Sequence, residues 1–311
     1  MIMTDEKIGK FMQRQERIML YIIIGLIIMI SVIIFIQKKH PDDDETVYNV
    51  SVIVREANDN FSKGVNQAAV DFNADVHIVT DYGSALRQDE YISREVDNGA
   101  AALVILAQTA DVTASSDGGK RIGVPVVSIG GTLSGAVCTI APDNTKIGST
   151  LARLTVDSGA STCCIVCSGR TEGYMQERIT AIKEGLERAG IEYDMCFCDR
   201  ESEAARAIAG KNAQVLLVPD ESMMTMVCRS AGEEEIIYGV GYDNSLRTWL
   251  ENGRIDALVV YSDYDIGYMS VHAAVEEIMN GGAQDVEIGT YVANGGNMYY
   301  DPMDKILFPI E

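Results

Sequence analysis

The stretch that decides the fold is residues 236–279, IIYGVGYDNSLRTWLENGRIDALVVYSDYDIGYMSVHAAVEEIM. Two short apolar runs, Ile236–Val240 and Ala257–Val260, each stop at a polar step and hand over to a helical pattern. Strand, helix, strand and helix in that order is the signature of a parallel α/β sheet. In such sheets the loops after the strand C-termini line the ligand crevice. Those loops carry Tyr242, Asp243 and Asn244, then Tyr261, Ser262, Asp263 and Tyr264. Aromatic rings beside carboxylates and amides suit a hydroxyl-rich small molecule.

The same rhythm extends both ways from this stretch. Strand-like apolar runs upstream fall at 50–54, 76–80, 101–106, 124–129, 138–140, 161–166, 193–197 and 213–218. They alternate with helical patterns over 61–73, 88–97, 144–157 and 174–189, another after Asp199, and a helix-like segment through Lys120. Downstream, 286–292 closes the series. About eleven strands with about nine helices exceed one ordinary sheet, so the expected fold is α/β with two similar lobes.

Charge narrows the partners. The formal net charge is −21 over 311 residues, while residues 1–40 are basic on balance. So acidic a body excludes nucleic-acid binding, which needs a basic footprint. Residues 18–36, IMLYIIIGLIIMISVIIFI, hold no charge and are long enough to cross a bilayer core as a helix. Lys7, Lys10, Arg14 and Arg17 precede this run, and only Lys38 and Lys39 follow it before the acidic cluster at 42–45. That bias orients the N-terminus to the cytoplasm and the body outside. No A-x-A-like cleavage site follows, and no cysteine precedes Cys138, so an uncleaved single-span anchor is expected. The organisation expected is a cytoplasmic 1–17, a span 18–36 and a linker 37–46. An N-terminal lobe of 47–153 plus 263–287 and a C-terminal lobe of 154–262 plus 288–311 complete it.

Seven cysteines are present, with Cys163, Cys164 and Cys167 in the strand-like run STCCIVC. Alternation puts Cys164 and Cys167 on opposite faces, and Cys163 and Cys167 lie roughly 13 Å apart, too far for a disulfide. Buried small hydrophobes are their expected role. None of the three histidines is spaced from cysteines like a zinc site. No G-x-S-x-G elbow, no G-x-x-x-x-G-K-[ST] loop and no G-x-G-x-x-G after the first strand occurs. Neither an enzyme nor a bound cofactor is therefore expected.

Four stretches together resemble a known family, the type 1 periplasmic binding proteins of the ribose- and galactose-binding kind. That family shares its fold with the sensor domains of lactose-repressor-like regulators. Gly64-Val-Asn-Gln-Ala-Ala69 is similar to the turn of the family's first helix, and Asp143-Asn144 with Gly148 to its D-N-x-x-x-G step. Arg178 with Ile182 resembles its R-x-x-x-(aromatic or aliphatic) step. Gly239-Val-Gly-Tyr-Asp243 and Tyr264-Asp-Ile-Gly-Tyr268 resemble its G-F-D and Y-x-x-G-Y steps. The resemblance implies two Rossmann-like lobes joined by a three-strand hinge, with crossings near 151–155, 261–263 and 288–293. It also implies closure of the lobes on a small ligand, either for an ABC-type permease or for a membrane sensor kinase or chemoreceptor.

Carried over one position at a time, the resemblance implies ligand contacts from Asn58, Asp59, Asn60, Phe61, Arg178, Asp220, Asp243 and Tyr261. The residues' own chemistry adds Tyr242. Asp220 and Asp243 can each accept from two hydroxyls, Arg178 donates as a rigid fork, and Phe61, Tyr242 and Tyr261 offer flat faces to ring C–H groups. Ordinary roles stand beside these: Arg178 as a surface helix residue, Asp243 as a helix N-cap, Asp143 or Asn144 as a cap or hinge. Replacing Arg178 or Asp243 by Ala is expected to weaken binding and leave unliganded stability nearly unchanged. The sequence departs from the sugar-binding pattern at Ile129-Gly130-Gly131, where sugar binders often place Asp-Arg, and at Tyr261, where a Gln is common.

Overall fold

Strand β1 (Tyr48–Val54) is buried along five consecutive residues, the mark of a strand covered on both faces by helices. It pairs in parallel with β2 (Ala74–Thr80) on one side and β3 (Ala102–Leu106) on the other. Beyond β3 follow β4 (Val126–Ile129), β5 (Cys138–Pro142) and, from far along the chain, β11 (Val286–Ile288), all parallel. Helices α1 (Asp59–Asp71) and α2 (Ala85–Asp97) lie between the first strands in sequence. The computed structural model describes residues 46–81, 85–106, 122–169 and 173–308, with Met29. Met29 and Thr46 apart, the expected segments 1–17, 18–36 and 37–46 lie outside the described residues, as does the helix-like segment expected through Lys120. Among the described residues no helix is long and apolar enough to cross a membrane.

A second sheet repeats the first. Its strands are β6 (Thr162–Cys167), β7 (Glu192–Phe197), β8 (Val215–Val218), β9 (Ile236–Val240) and β10 (Ala257–Val260), with β12 (Tyr291–Ala293) antiparallel at the edge. The two orders are β2-β1-β3-β4-β5-β11 and β7-β6-β8-β9-β10-β12. Around them run α3 (Asn144–Asp157), α4 (Gly173–Ala189), α5 (Glu201–Ala209), α6 (Glu221–Ser230), α7 (Asn244–Glu251), α8 (Asp263–Asn280) and α9 (Met303–Leu307). Both lobes belong to the compact unit 47–311.

Burial fixes where the chain changes lobe. Helix α3 buries Ile147, Leu151 and Ala152 among Ile165, Leu217 and Val259 of the second sheet. The first crossing therefore falls between Pro142 and Asn144, not near 151–155, and the lobe boundary expected after residue 153 moves back to about Asp143, which gives all of α3 to the second lobe. Helix α8 returns to the first sheet, with Ile266, Val271 and Ala274 packed among Val52, Val104 and Ile140. The run 286–292, read as one strand, is two: β11 ends at Ile288 in the first sheet and β12 begins at Tyr291 in the second.

Each lobe clamps two helices at glycine. On α8, a Cβ at Gly267 would collide with the Phe61 carbonyl of α1, and one at Gly64 with the carbonyl of Tyr264. On α3, a Cβ at Gly148 would collide with the Arg178 carbonyl of α4. These are the glycines of the first-helix, Y-x-x-G-Y and D-N-x-x-x-G steps, and their bareness lets the backbones touch. The seven cysteines are buried and free. Cys164 faces the core with Val166 and Cys196, while Cys163 and Cys167 face the opposite core. Burial pushes the thiols of Cys163 and Cys167 up to about 12, which keeps them inert. Cys164 Sγ lies 2.8 Å from Cys196 Sγ on the neighbouring strand, a pairing the sequence did not single out.

Candidate functional site

A sheet whose strand order reverses opens a crevice beside the C-terminal ends of the strands at the switch point. The reversal falls between β1 and β3 in one lobe and between β6 and β8 in the other. The segments leaving these ends are the loop through Asn58, the end of β3 at Leu106, and the step Pro219-Asp220. Between the lobes lies a cavity of about 130 Å³, lined by Phe61, Leu106, Ile129 and Ile266 on the apolar side. Its polar lining comes from Glu56, Asn58, Tyr174, Arg178, Tyr261 and Asp263. At about 30 Å³ per water this is room for roughly four waters, the scale of a small polar ligand and far below that of a peptide.

Arg178 is 3 % exposed and held on three sides. Its Nε donates to Asn144 Oδ1 at 2.8 Å, Nη1 to the Pro219 carbonyl at 2.9 Å, and Nη2 to Tyr261 Oη at 3.4 Å. The rings of Tyr174 and Tyr261 flank the guanidinium, 5.2 and 5.8 Å from its carbon. Asn144 in turn donates to the Gly130 carbonyl at 2.7 Å, so the amide ties the first lobe to Arg178 in the second. Burial alone would lower the guanidinium's pKa, but Tyr261, Tyr174 and Asp220 outweigh it and raise it. Burial pushes the phenols of Tyr174 and Tyr261 up to about 12, so they stay neutral donors. An arginine has five N–H groups. Three are engaged here, and two remain for a ligand in the cavity that Arg178 lines.

The opposite corner is built round Tyr242. Its hydroxyl donates to Asp263 Oδ2 at 3.2 Å and accepts from Asn60 Nδ2 at 3.3 Å, joining the second lobe to α1 and α8. Its backbone N–H donates to Glu221 Oε1 at 3.3 Å. Asp263 Oδ2 also accepts from Asn58 Nδ2 at 2.6 Å, and Asn58 Oδ1 caps α1 by accepting from the Phe61 N–H at 2.9 Å. Burial and the neighbouring Asp263 charge push the Glu221 carboxyl up to about 8. Burial raises Asp263 as well, resisted by the donors Asn58 and Tyr242.

Of the residues expected to touch ligand, Asn58, Phe61, Arg178 and Tyr261 line the cavity. Asp59, Asn60, Tyr242 and Asp243 line a groove of about 430 Å³ outside it. Asp243 is exposed and caps α7, with Oδ1 accepting from the Leu246 N–H at 2.9 Å. Asp220 caps α6 through the backbone and hydroxyl of Ser222, while its Oδ2 is buried with no hydrogen-bond partner. Asn144 is both the first residue of α3 and the bridge to Arg178. The surface role weighed for Arg178 fails, because α4 turns that residue inward. The sequence missed Glu56, Tyr174, Glu221 and Asp263 as site residues. Asp263 stood in the right loop, and Glu221 directly follows Asp220; neither type is distinctive without the partner that folding brings to it.

Two lobes of one topology, hinged at three crossings and enclosing a polar cavity, define the class of bilobal solute-binding folds. The chain belongs to the periplasmic binding protein domain family, whose model matches residues 50–282, and it is a solute-binding protein rather than an enzyme. No curated protein matches its sequence. Solved structures share the fold. An ABC transporter solute-binding protein from Agrobacterium vitis bound to α-D-tagatopyranose superposes with a TM-score of 0.76 at 16% identity, over 85% of this chain and 100% of that one. A carbohydrate transporter solute-binding protein from Agrobacterium radiobacter in complex with D-arabinose gives 0.75 at 16%, over 84% and 99%. A carbohydrate transporter from Acidothermus cellulolyticus in complex with myo-inositol gives 0.70 at 16%, over 84% and 99%.

Proposed function

We propose that the chain captures a small hydroxylated ligand, a sugar or polyol, between its two lobes and presents it to an ABC-type importer. The observation that carries this reading is Arg178. It is a buried guanidinium locked by Asn144, Pro219 and Tyr261, with two N–H groups left over beside a cavity at the switch points of both sheets. Hydroxyls satisfy such donors, and an unpaired buried donor costs about 1–3 kcal/mol. The sugars and cyclitol held by the neighbouring structures are hydroxylated compounds of the class proposed for this cavity. In the same reading residues 18–36 tether the body to the outer face of the cell membrane, with the N-terminus in the cytoplasm. A tethered body would equally serve a membrane sensor, and neighbouring permease and ATPase genes, as against a histidine-kinase gene, decide between the two.

The test is a thermal-shift screen of the full chain in mild detergent against monosaccharides, inositols and amino acids. A ligand at a hundred times its Kd adds about 2.7 kcal/mol of stability. A shift with one or more carbohydrates is expected. No shift from any hydroxylated compound, beside a clear one from an unhydroxylated amino acid, contradicts the reading.

A further inference from the structure

The corner of the cleft around Tyr242 gathers carboxyl groups for which the described residues supply no ion-pair partner within 4.0 Å. Asp220 and Glu221 stand at the start of α6, and Asp263 and Asp265 at the start of α8. Each helix N-terminus supplies only about half a positive charge. No cationic nitrogen among the described residues lies within 4.0 Å of a carboxylate oxygen of Glu56, Asp220, Glu221 or Asp263. Arg178 hydrogen-bonds to none of them, since its engaged N–H groups go to an amide, a carbonyl and a phenol, although its charge acts on Glu221 and Asp263 from across the cavity. Lys63 and Arg247 line the outer groove, and Arg247 is occupied by the Leu307 carbonyl and the Phe308 ring. Buried charge is ordinarily paired, because an unpaired one is expensive.

The acceptors are also unevenly used. Asp263 lines the cavity, and its Oδ2 takes both the Asn58 and the Tyr242 donors, so Oδ1 is left for something else. Glu56, an exposed residue, lines the same cavity. Asp220 Oδ2, buried at the end of β8, is without a partner.

We propose that the ligand of this cleft is an amine-bearing polyol, an amino sugar or aminocyclitol, whose ammonium group is received by Asp263 while its hydroxyls take the spare N–H groups of Arg178. The inference rests on the reading of the cleft as a site for hydroxylated ligands and adds to it the charge that the protein lacks. An ammonium brings three donors and one positive charge to a wall that offers free carboxylate oxygens. Arg178, across the cavity, keeps that charge at the Asp263 end. The departures from the sugar-binding pattern at Tyr261 and at Ile129-Gly130-Gly131 fit a ligand other than a neutral sugar.

Matched pairs differing only in the amine test this by calorimetric titration of the full chain: D-glucosamine against D-glucose, D-galactosamine against D-galactose, and 2-amino-1,3-propanediol against glycerol. N-acetyl-D-glucosamine is the control with the charge removed. At least one amine is expected to bind about tenfold or more tighter than its neutral partner. Asp263→Asn should erase that advantage, so that the amine and its neutral partner bind within about threefold of each other in the variant. Neutral members binding as tightly as the amines overturn the inference and leave the sugar or polyol reading standing. So does an amine preference that survives Asp263→Asn, or that acetylation of the amine leaves intact. If no member of any pair binds, this inference falls, while the sugar or polyol reading is decided by the wider thermal-shift screen.

Discussion

The cleft has two charged corners, and they are built in opposite ways. At the Arg178 corner every near neighbour is a partner: Asn144, Pro219 and Tyr261 accept its hydrogen bonds, and Tyr174 covers its face. At the Tyr242 corner the carboxyl groups of Glu221 and Asp263 share one tyrosine and have amide, phenol and backbone donors but, among the described residues, no cation within 4.0 Å. The first corner is preorganised in the absence of ligand, so binding there loses little to ordering. The second is electrostatically incomplete until something occupies it. One corner holds a ligand in register, and the other selects what kind of ligand it is.

Breaking the first corner has the largest expected effect. Arg178→Met removes two ligand-facing N–H groups, each a charged hydrogen bond of about 1.5–3 kcal/mol, so affinity should fall at least about a hundredfold by titration. It also strands the Asn144 and Pro219 acceptors in a buried site, so the unliganded melting temperature should drop too. The sequence led to the contrary expectation for Arg178→Ala, because nothing in the helical pattern marks that position as 3 % exposed. Next in size is Gly148→Ala, whose Cβ would meet the Arg178 carbonyl. It should cost about 1–3 kcal/mol of stability by denaturant unfolding, and it should weaken binding by shifting α4 and Arg178 with it.

Smaller changes sharpen the second corner. Tyr242→Phe removes the hydroxyl that links Asn60 and Asp263 across the lobes. A loss of about 1 kcal/mol in ligand affinity, roughly fivefold, is expected. The last effect is on the pH profile. The Glu221 carboxyl, raised to about 8 in the folded protein from an ordinary value of 4.5, holds its proton longer than in the unfolded chain. The folded state therefore binds more protons between those values, and stability falls as pH rises from about 4.5 to 8. Glu221→Gln should flatten that part of the curve of melting temperature against pH, while a slope unchanged by the substitution would remove Glu221 as its source.

The lobes, the parallel sheets and the family were legible in the sequence, because strand runs and their helices are local patterns. The motif glycines were legible as well, and the structure supplies their reason: Gly148 and Gly267 are where helix backbones touch. The cleft was only half legible. Asn58, Phe61, Arg178 and Tyr261 were named from position in the pattern, and they line the cavity. Asp220 and Asp243 were named as well and are caps, since an aspartate at a helix start serves either purpose. Tyr174 and Asp263 lie 89 residues apart in sequence and line one cavity only because the chain crosses between lobes three times. Position relative to the cavity decides between a cap and a contact, and no local pattern carries it at these positions.

The central claim is that the ligand sits between the lobes with its polar groups on Arg178. Crystals of the full chain grown with the tightest binder from the carbohydrate and amino-sugar panel test it most directly. The account predicts ligand density enclosed by both lobes, with a ligand oxygen within hydrogen-bond distance of the Arg178 guanidinium. Density confined to one lobe, or a ligand in the cleft that leaves Arg178 bonded only to Asn144, Pro219 and Tyr261, would contradict it.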